Sequence, residues 1–199
     1  MTVQIIENFF VPTFIDNVVK LYSHKLTQVK ERKGFFEDID TPRDTLRPLG
    51  IEHKDQIEFK NNETAGEQQA IIYMNNMIHM AKTEIESFYN CGDLKSFEGG
   101  LVKLTQGASN GLHSDMYQLD GSMWDDGTGR QDELKYSALI YMSEYGKDFT
   151  GGKIYFPQQD MEVCPEKGML IFFKGDLEHT HEVSEVLSGE RYALVMFFG

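Results

Sequence analysis

Gly168-Met-Leu-Ile-Phe-Phe173, Thr180-His-Glu-Val-Ser-Glu-Val186 and Arg191-Tyr-Ala-Leu-Val-Met-Phe-Phe198 are short apolar runs set apart by turn residues. Runs of this length, bounded by Gly and Asp, read as strands. The same texture reaches back to about Phe97, through Ser96–Thr105, Gly111–Asp115, Tyr136–Ser143, Lys153–Pro157 and Glu162–Cys164. Eight short strands with glycine-rich breaks predict a barrel or sandwich.

The first half reads differently. A short strand is expected over Val3–Phe10. Pro12-Thr13 then opens a helix, with Thr13 as N-cap and Asp16 three residues on. Ile15, Val18, Val19, Tyr22, Leu26 and Val29 follow at helical spacing, and Lys30 to Lys33 with Gly34 suit its end. Residues 35–65, broken by Pro42, Pro48 and Gly50, read as loops with a strand or two. Glu67–Tyr89 is the clearest helix. Its stripe is Ile71, Met74, Ile78, Ala81, Ile85 and Phe88, with Met77 and Met80 as core filler and His79 at the boundary. Helices first and strands afterwards exclude a βαβ pattern. The predicted fold is α+β and mainly β: a double-stranded β-helix (jelly roll) with N-terminal helices packed on one face of the major sheet. Residues 1–199 are read as one domain, with 1–95 as helical buttress and 96–199 as jelly-roll core.

Composition narrows the function classes. The chain of 199 residues carries a net charge of -13, which repels free nucleic acid and anionic membrane, so neither is an expected partner. Cys91 and Cys164 have no CxxC spacing and are read as free thiols in a reducing compartment. The N-terminus lacks a basic region followed by an apolar run, so a soluble, cytoplasmic protein is expected.

Two stretches carry the chemistry: His113-Ser-Asp115 and His179-Thr-His181, the latter followed by a late Arg191. Residues i and i+2 of a strand face one way, so His113 and Asp115 would emerge side by side. Two histidines and one carboxylate on one face of a metal is the ligand set of non-haem Fe(II) oxygenases. Spacing alone leaves the second histidine open between His179 and His181. Arg191 at the start of the last strand has two readings. It pairs with Glu190 or another acid at a solvated strand end, or it grips a carboxylate as a bidentate fork. A 2-oxoglutarate molecule chelating iron through its 2-oxo acid end would present its 5-carboxylate to such an arginine. Met116 to Lys135, acidic and containing Tyr117 and Trp124, is a candidate lid. Its acids lack the spacing of a calcium loop.

The string continues. Gly107 precedes His113, Ala138-Leu-Ile-Tyr141-Met and Gly151-Gly152-Lys-Ile-Tyr-Phe156-Pro157 follow, then Pro165-Glu-Lys-Gly168, His181-Glu-Val183, Val186, Gly189 and Arg191. Over residues 97–199 this resembles the 2-oxoglutarate/Fe(II)-dependent dioxygenases, in particular their prolyl 4-hydroxylase-like branch. The resemblance implies His113, Asp115 and His181 as iron ligands. It leaves His179 behind the metal or on the surface, and it implies Arg191 and Tyr141 as holders of the cosubstrate's distal carboxylate. It implies Fe(II), 2-oxoglutarate and O2 as cofactors, with ascorbate as an auxiliary, and hydroxylation of a peptide or small-molecule substrate, peptidyl proline among them. Leu104, Asn110 and Glu185 depart from the family pattern at substrate-side or packing positions. Two other readings are a cupin-like metalloprotein using His179, His181 and Glu185, and a jelly-roll binding module without catalysis.

Overall fold

The structure, a computed structural model, describes residues 2–26, 43–46, 64–124 and 133–199. The strands are β1 (Gln4–Ile6), β2 (Arg43–Leu46), β3 (Ser96–Thr105), β4 (Asn110–His113), β5 (Tyr136–Tyr141), β6 (Phe149–Gly151), β7 (Ile154–Phe156), β8 (Met161–Val163), β9 (Leu170–Lys174), β10 (His181–Val183) and β11 (Val186–Phe198). Helix α1 spans Pro12–Leu26 and α2 spans Ala65–Tyr89. A seven-stranded sheet runs β1-β9-β5-β11-β3-β2, with β6 joined to β11, and a four-stranded sheet runs β4-β10-β7-β8. Every pairing between these strands is antiparallel.

The two faces of the large sheet follow from strand parity. Along β5, Ala138 and Ile140 join an apolar cluster that also holds Ile15 and Val18 of α1 and Ala70, Ile71, Met74, Met77, Ile78, Ala81 and Ile85 of α2. Leu139 and Tyr141 on the alternate face join a second cluster with Ile154, Phe156, Val163 and Val183 of the small sheet. The same alternation runs along β11, with Leu194 and Met196 on the first side and Ala193 on the second. Each fully buried Ile, Leu or Phe on these faces contributes about 1.5–3 kcal/mol. A strand buried on both faces explains why 138–142 reads as a continuous apolar run rather than an alternation.

Helix α2 begins at a capping box that the reading from Glu67 overlooked. Thr64 accepts from the Glu67 backbone N–H, and the Glu67 carboxylate accepts from the Thr64 N–H at 2.6 Å. It ends at Asn90, which takes the left-handed conformation at φ 50°.

Several expectations change. The first strand shrinks from Val3–Phe10 to Gln4–Ile6. Thr13 is not the N-cap of α1, because the helix already includes Pro12, whose fixed φ and missing N–H suit a first helical position. The stripe of α2 loses its last member: Phe88 is 49% exposed, lying edge-on to Phe172, and Met80 is 44% exposed. Strand β6 was not foreseen, since Phe149-Thr-Gly151 is too short to show a period. The last strand starts at Val186 rather than Arg191, which moves Arg191 from a strand end to its interior. Of residues 35–65, β2 is described. The expected basic helix end at 30–34 lies outside the described residues, as do 47–63. Residues 116–124 are ordered by a bridge between Tyr117 and Met123 and by Gln118 N–H donating to Ser122 O at 2.7 Å, so this part of the expected lid is folded. Residues 125–132 lie outside the described residues.

Both cysteines are free thiols. Among the described residues, no helix is long and apolar enough to cross a membrane.

Candidate metal centre and 2-oxo acid site

His113 ends β4 and His181 begins β10, and the two are direct partners across this antiparallel pair. Their rings lie 4.3 Å apart between centroids. Asp115 is placed differently from the expectation that it shares the strand with His113: β4 ends at His113, and Asp115 sits in the bend beyond. Its neighbours fix it there. The buried Ser114 hydroxyl donates to Gly175 O at 2.7 Å, Met116 N–H donates to the same carbonyl at 3.0 Å, and Trp124 Nε1–H donates to Ser114 O at 2.9 Å. Sequence reasoning missed Ser114, Gly175 and this use of Trp124. Gly175 carries a recognisable reason: a Cβ there would lie 2.8 Å from Met116 Cγ.

Carboxylate and imidazole converge. Asp115 Oδ1 lies 3.6 Å from His113 Nε2, and Asp115 Oδ2 lies 3.9 Å from His181 Nε2. One ligand atom from each of the three falls within 4.8 Å of the others. The tautomers suit a metal. His113 Nδ1 is 2.7 Å from Gly111 O and His181 Nδ1 is 3.1 Å from His179 O. A carbonyl can only accept, so each Nδ1 carries a proton, and in the neutral ring Nε2 keeps its lone pair for an ion. Burial pushes His181 down to about pH 4, against a smaller upward pull from Asp115, so this ring is neutral at pH 7. Phe156 and Phe173 flank it at 5.4 and 4.9 Å between ring centroids. Two imidazole nitrogens and one carboxylate oxygen on one side of a point fit a 2-His-1-carboxylate iron site with open positions.

His179 is not among this group. It is buried rather than on the surface, because a tight turn at Leu177–His179 folds it inward. Its Nδ1 donates to Asp176 Oδ1 at 2.6 Å and its ring stacks on Phe173. It meets His181 through its backbone carbonyl. Glu185 is exposed. The cupin-like trio of His179, His181 and Glu185 is therefore not assembled.

The same three ligand candidates line a cavity of about 180 Å³ together with Arg191 and an apolar wall that includes Val102, Leu104, Leu139, Val195 and Phe197. Arg191 is 2% exposed. Its Nε–H donates to Gly152 O at 2.9 Å, and Nη2 donates to the Tyr141 hydroxyl at 3.3 Å. The guanidinium carbon lies 5.0 Å from the centroid of the Tyr141 ring. Two consecutive glycines make room for this. Gly151 and Gly152 adopt φ of 70° and 60°; a Cβ on Gly151 would come within 2.0 Å of Glu185 O, and one on Gly152 within 3.0 Å of Arg191 Cδ. Glu190 is engaged elsewhere, 2.5 Å from Lys103 Nζ and bonded to the Tyr192 hydroxyl, which removes the reading in which it neutralises Arg191. A buried cation facing a cavity, with no carboxylate of the described residues paired to it, is set for an anionic ligand. Tyr141 does not itself line the cavity. It is fully buried, which raises its pKa despite the opposing pull of Arg191, so it keeps its proton. It fixes the arginine from behind.

Comparison with known proteins agrees with this geometry. Residues 99–199 match the model of the 2OG-Fe(II) oxygenase superfamily. The chain is 38% identical over 65 residues to 2-oxoglutarate and iron-dependent oxygenase domain-containing protein 3 of Rattus norvegicus, an alignment covering 32% of this chain and 21% of that protein. It is 35% identical over 68 residues to prolyl 3-hydroxylase 1 of Homo sapiens, covering 32% of this chain and 9% of that protein. The chain thus spans about a fifth or less of the length of these curated relatives. Among solved structures, it is similar in fold to the viral collagen prolyl hydroxylase vCPH of Paramecium Bursaria Chlorella virus-1, with TM-score 0.63 and 14% identity over 100% of this chain and 95% of that one. It is similar also to a Trichoplax adhaerens prolyl hydroxylase in complex with a hypoxia inducible factor peptide fragment, with TM-score 0.67 and 15% identity over 98% of this chain and 82% of that one. A curled, mostly β architecture with few helices, a convergent His-Asp-His group and a family match over half the chain lead to one conclusion: this protein belongs to the 2OG-Fe(II) oxygenase superfamily, whose members use Fe(II), 2-oxoglutarate and O2.

Proposed function

We propose that this chain is an iron- and 2-oxoglutarate-dependent hydroxylase, built as a double-stranded β-helix whose major sheet is backed by α1 and α2. His113, Asp115 and His181 are its iron ligands, Arg191 is its anchor for the cosubstrate's 5-carboxylate, and Tyr141 holds Arg191 in place. The observation that carries this reading is that one cavity is lined by both the convergent His-Asp-His group and a buried arginine. Iron bound there would supply the redox chemistry by which 2-oxoglutarate and O2 become succinate and CO2, with one oxygen atom entering a substrate C–H bond. The protein's own work is to position and shield. His113 and His181 present Nε2 lone pairs held by backbone carbonyls, and Asp115 supplies a negative charge that offsets the metal's. Arg191 selects a dicarboxylate of the right length. The apolar wall keeps water from the reacting atoms.

For substrate, a prolyl peptide is the favoured class. The Val102, Val195 and Phe197 wall is apolar, and the similar solved structures include prolyl hydroxylases. Residues 116–124, tied to Ser114 and Gly175 beside Asp115, form a substrate-side wall in this reading.

The test is anaerobic addition of Fe(II) and 2-oxoglutarate to the metal-free protein. A visible charge-transfer band is expected, lost in Asp115→Ala. A folded protein that gives no band overturns the reading. Succinate production stimulated by prolyl peptides supports the substrate class, and its absence beside an intact band moves the substrate to small molecules.

A further inference from the structure

Asn110 lines the cavity three residues before His113. In a regular strand, residues three apart face opposite ways. Here the pairing of β10 with β4 shifts register, so that His181 opposes His113 while Val183 opposes Asn110. Three steps along β4 thus match two along β10. The irregularity turns Asn110 to the same side as His113.

The result is a contact of 3.2 Å between Asn110 Nδ2 and His113 Nε2. Its direction is fixed by the other ring nitrogen. Gly111 O, at 2.7 Å, accepts the Nδ1 proton, so in the neutral ring Nε2 is an acceptor and the amide nitrogen must donate to it. That lone pair is also the one a metal would take. A metal bound there would take that lone pair and free this N–H to donate to another acceptor in the cavity. Among the described side chains lining the cavity, N–H or O–H donors other than the two histidines come from Asn110, Ser137 and Arg191. Arg191 has its assigned carboxylate. Of the remaining two, Asn110 is the one already in contact with a ligand nitrogen.

We infer that Asn110 donates a hydrogen bond to the carboxylate that the 2-oxo acid presents to the metal. This rests on the iron and 2-oxoglutarate reading above, and it makes Asn110 a second anchor for the cosubstrate at the end opposite its 5-carboxylate. Such a hydrogen bond would hold the carboxylate's charge at a second point and set the cosubstrate's orientation in the cavity.

The test titrates 2-oxoglutarate anaerobically into Fe(II)-loaded wild type, Asn110→Ala and Asn110→Asp, reading the charge-transfer band. Fe(II) affinity is measured separately without cosubstrate. The alanine variant should bind Fe(II) at least as tightly as wild type, since no amide N–H then competes for the Nε2 lone pair, and should bind 2-oxoglutarate about tenfold more weakly, the worth of one hydrogen bond to a charged acceptor. Its band maximum should move as well. Asn110→Asp should bind more weakly still, because it sets carboxylate against carboxylate. Asn110→Ser, with a shorter donor, replaces the alanine variant if that does not fold. An alanine variant with wild-type affinity and an unmoved band overturns the role of Asn110 alone. A wild type without any band overturns the iron and 2-oxoglutarate reading and this inference with it.

Discussion

Replacing Arg191 by methionine separates ligand binding from folding. The wild-type side chain is 2% exposed, gives one hydrogen bond to Gly152 O and one to Tyr141, and has no carboxylate of the described residues as partner. Without ligand, two effects oppose each other. Leaving Gly152 O without this donor costs about 1–3 kcal/mol. Removing a buried cation that lacks a counter-charge relieves a desolvation cost of several kcal/mol. Methionine refills most of the volume, so the ligand-free melting temperature should stay within a few degrees or rise. The ligand-bound state behaves differently. At a 2-oxoglutarate concentration of about 100 Kd the wild type gains about 2.7 kcal/mol, or roughly 5–10 °C in a domain of this size. Loss of a charged fork to the 5-carboxylate weakens binding by about 1.5–3 kcal/mol. At the same ligand concentration the gain then falls to about 0.3–1.3 kcal/mol. The assay is a thermal melt with Mn(II) as a redox-silent metal, with and without 2-oxoglutarate. A full-sized shift in Arg191→Met would refute the anchor. Collapse of the ligand-free protein would show instead that Arg191 is there for the fold.

Two other outcomes are expected. His179→Ala should still bind Fe(II), because the ring is not part of the ligand group, but should lose about 2–4 kcal/mol of stability through the cavity beside Phe173 and the loss of the Asp176 contact, as read by chemical denaturation. Complete loss of metal binding in a folded variant would restore the cupin-like reading. The second concerns pH. His181 has its pKa lowered from 6.5 to about 4 by burial, so between those values the unfolded chain takes up a proton that the folded chain does not. Its contribution to stability is therefore intact above about pH 6.5 and is lost as pH falls toward 4, with a slope of up to about 1.4 kcal/mol per pH unit. Denaturant titrations of the metal-free protein should show this slope reduced in His181→Asn, and an unchanged slope would contradict the burial argument.

The linear pattern made much of the site and core legible. Period-three-and-four spacing marks α2, and short apolar runs mark most of the strands, because burial of one face or both imposes those patterns locally. Strand parity puts Leu139 and Tyr141 on the face toward the small sheet, and the cavity lining includes Leu139. Where expectation failed, the deciding partner was distant in sequence. Phe88 sits at a helical position that the stripe would bury, yet beyond Ile85 it meets the rings of Phe172 and Tyr89 edge-on and stays 49% exposed. Asp115 keeps its place through Gly175, sixty residues on, not through the strand that His113 ends.

Residue types and spacings alone therefore determined a β-rich second half behind two helices, a histidine and a carboxylate two residues apart, and a late arginine. Tertiary structure decided the rest. It carried Arg191 into the interior of β11 and sent Glu190 to Lys103 on the other face. It buried His179 against Asp176, and it turned Asn110 onto His113 by one step of register. The physical reason is the same in each case. A periodicity records which way a side chain points from its own strand, whereas a ligand group depends on what several strands bring to meet it, and that is set by pairing register and by the space glycines leave.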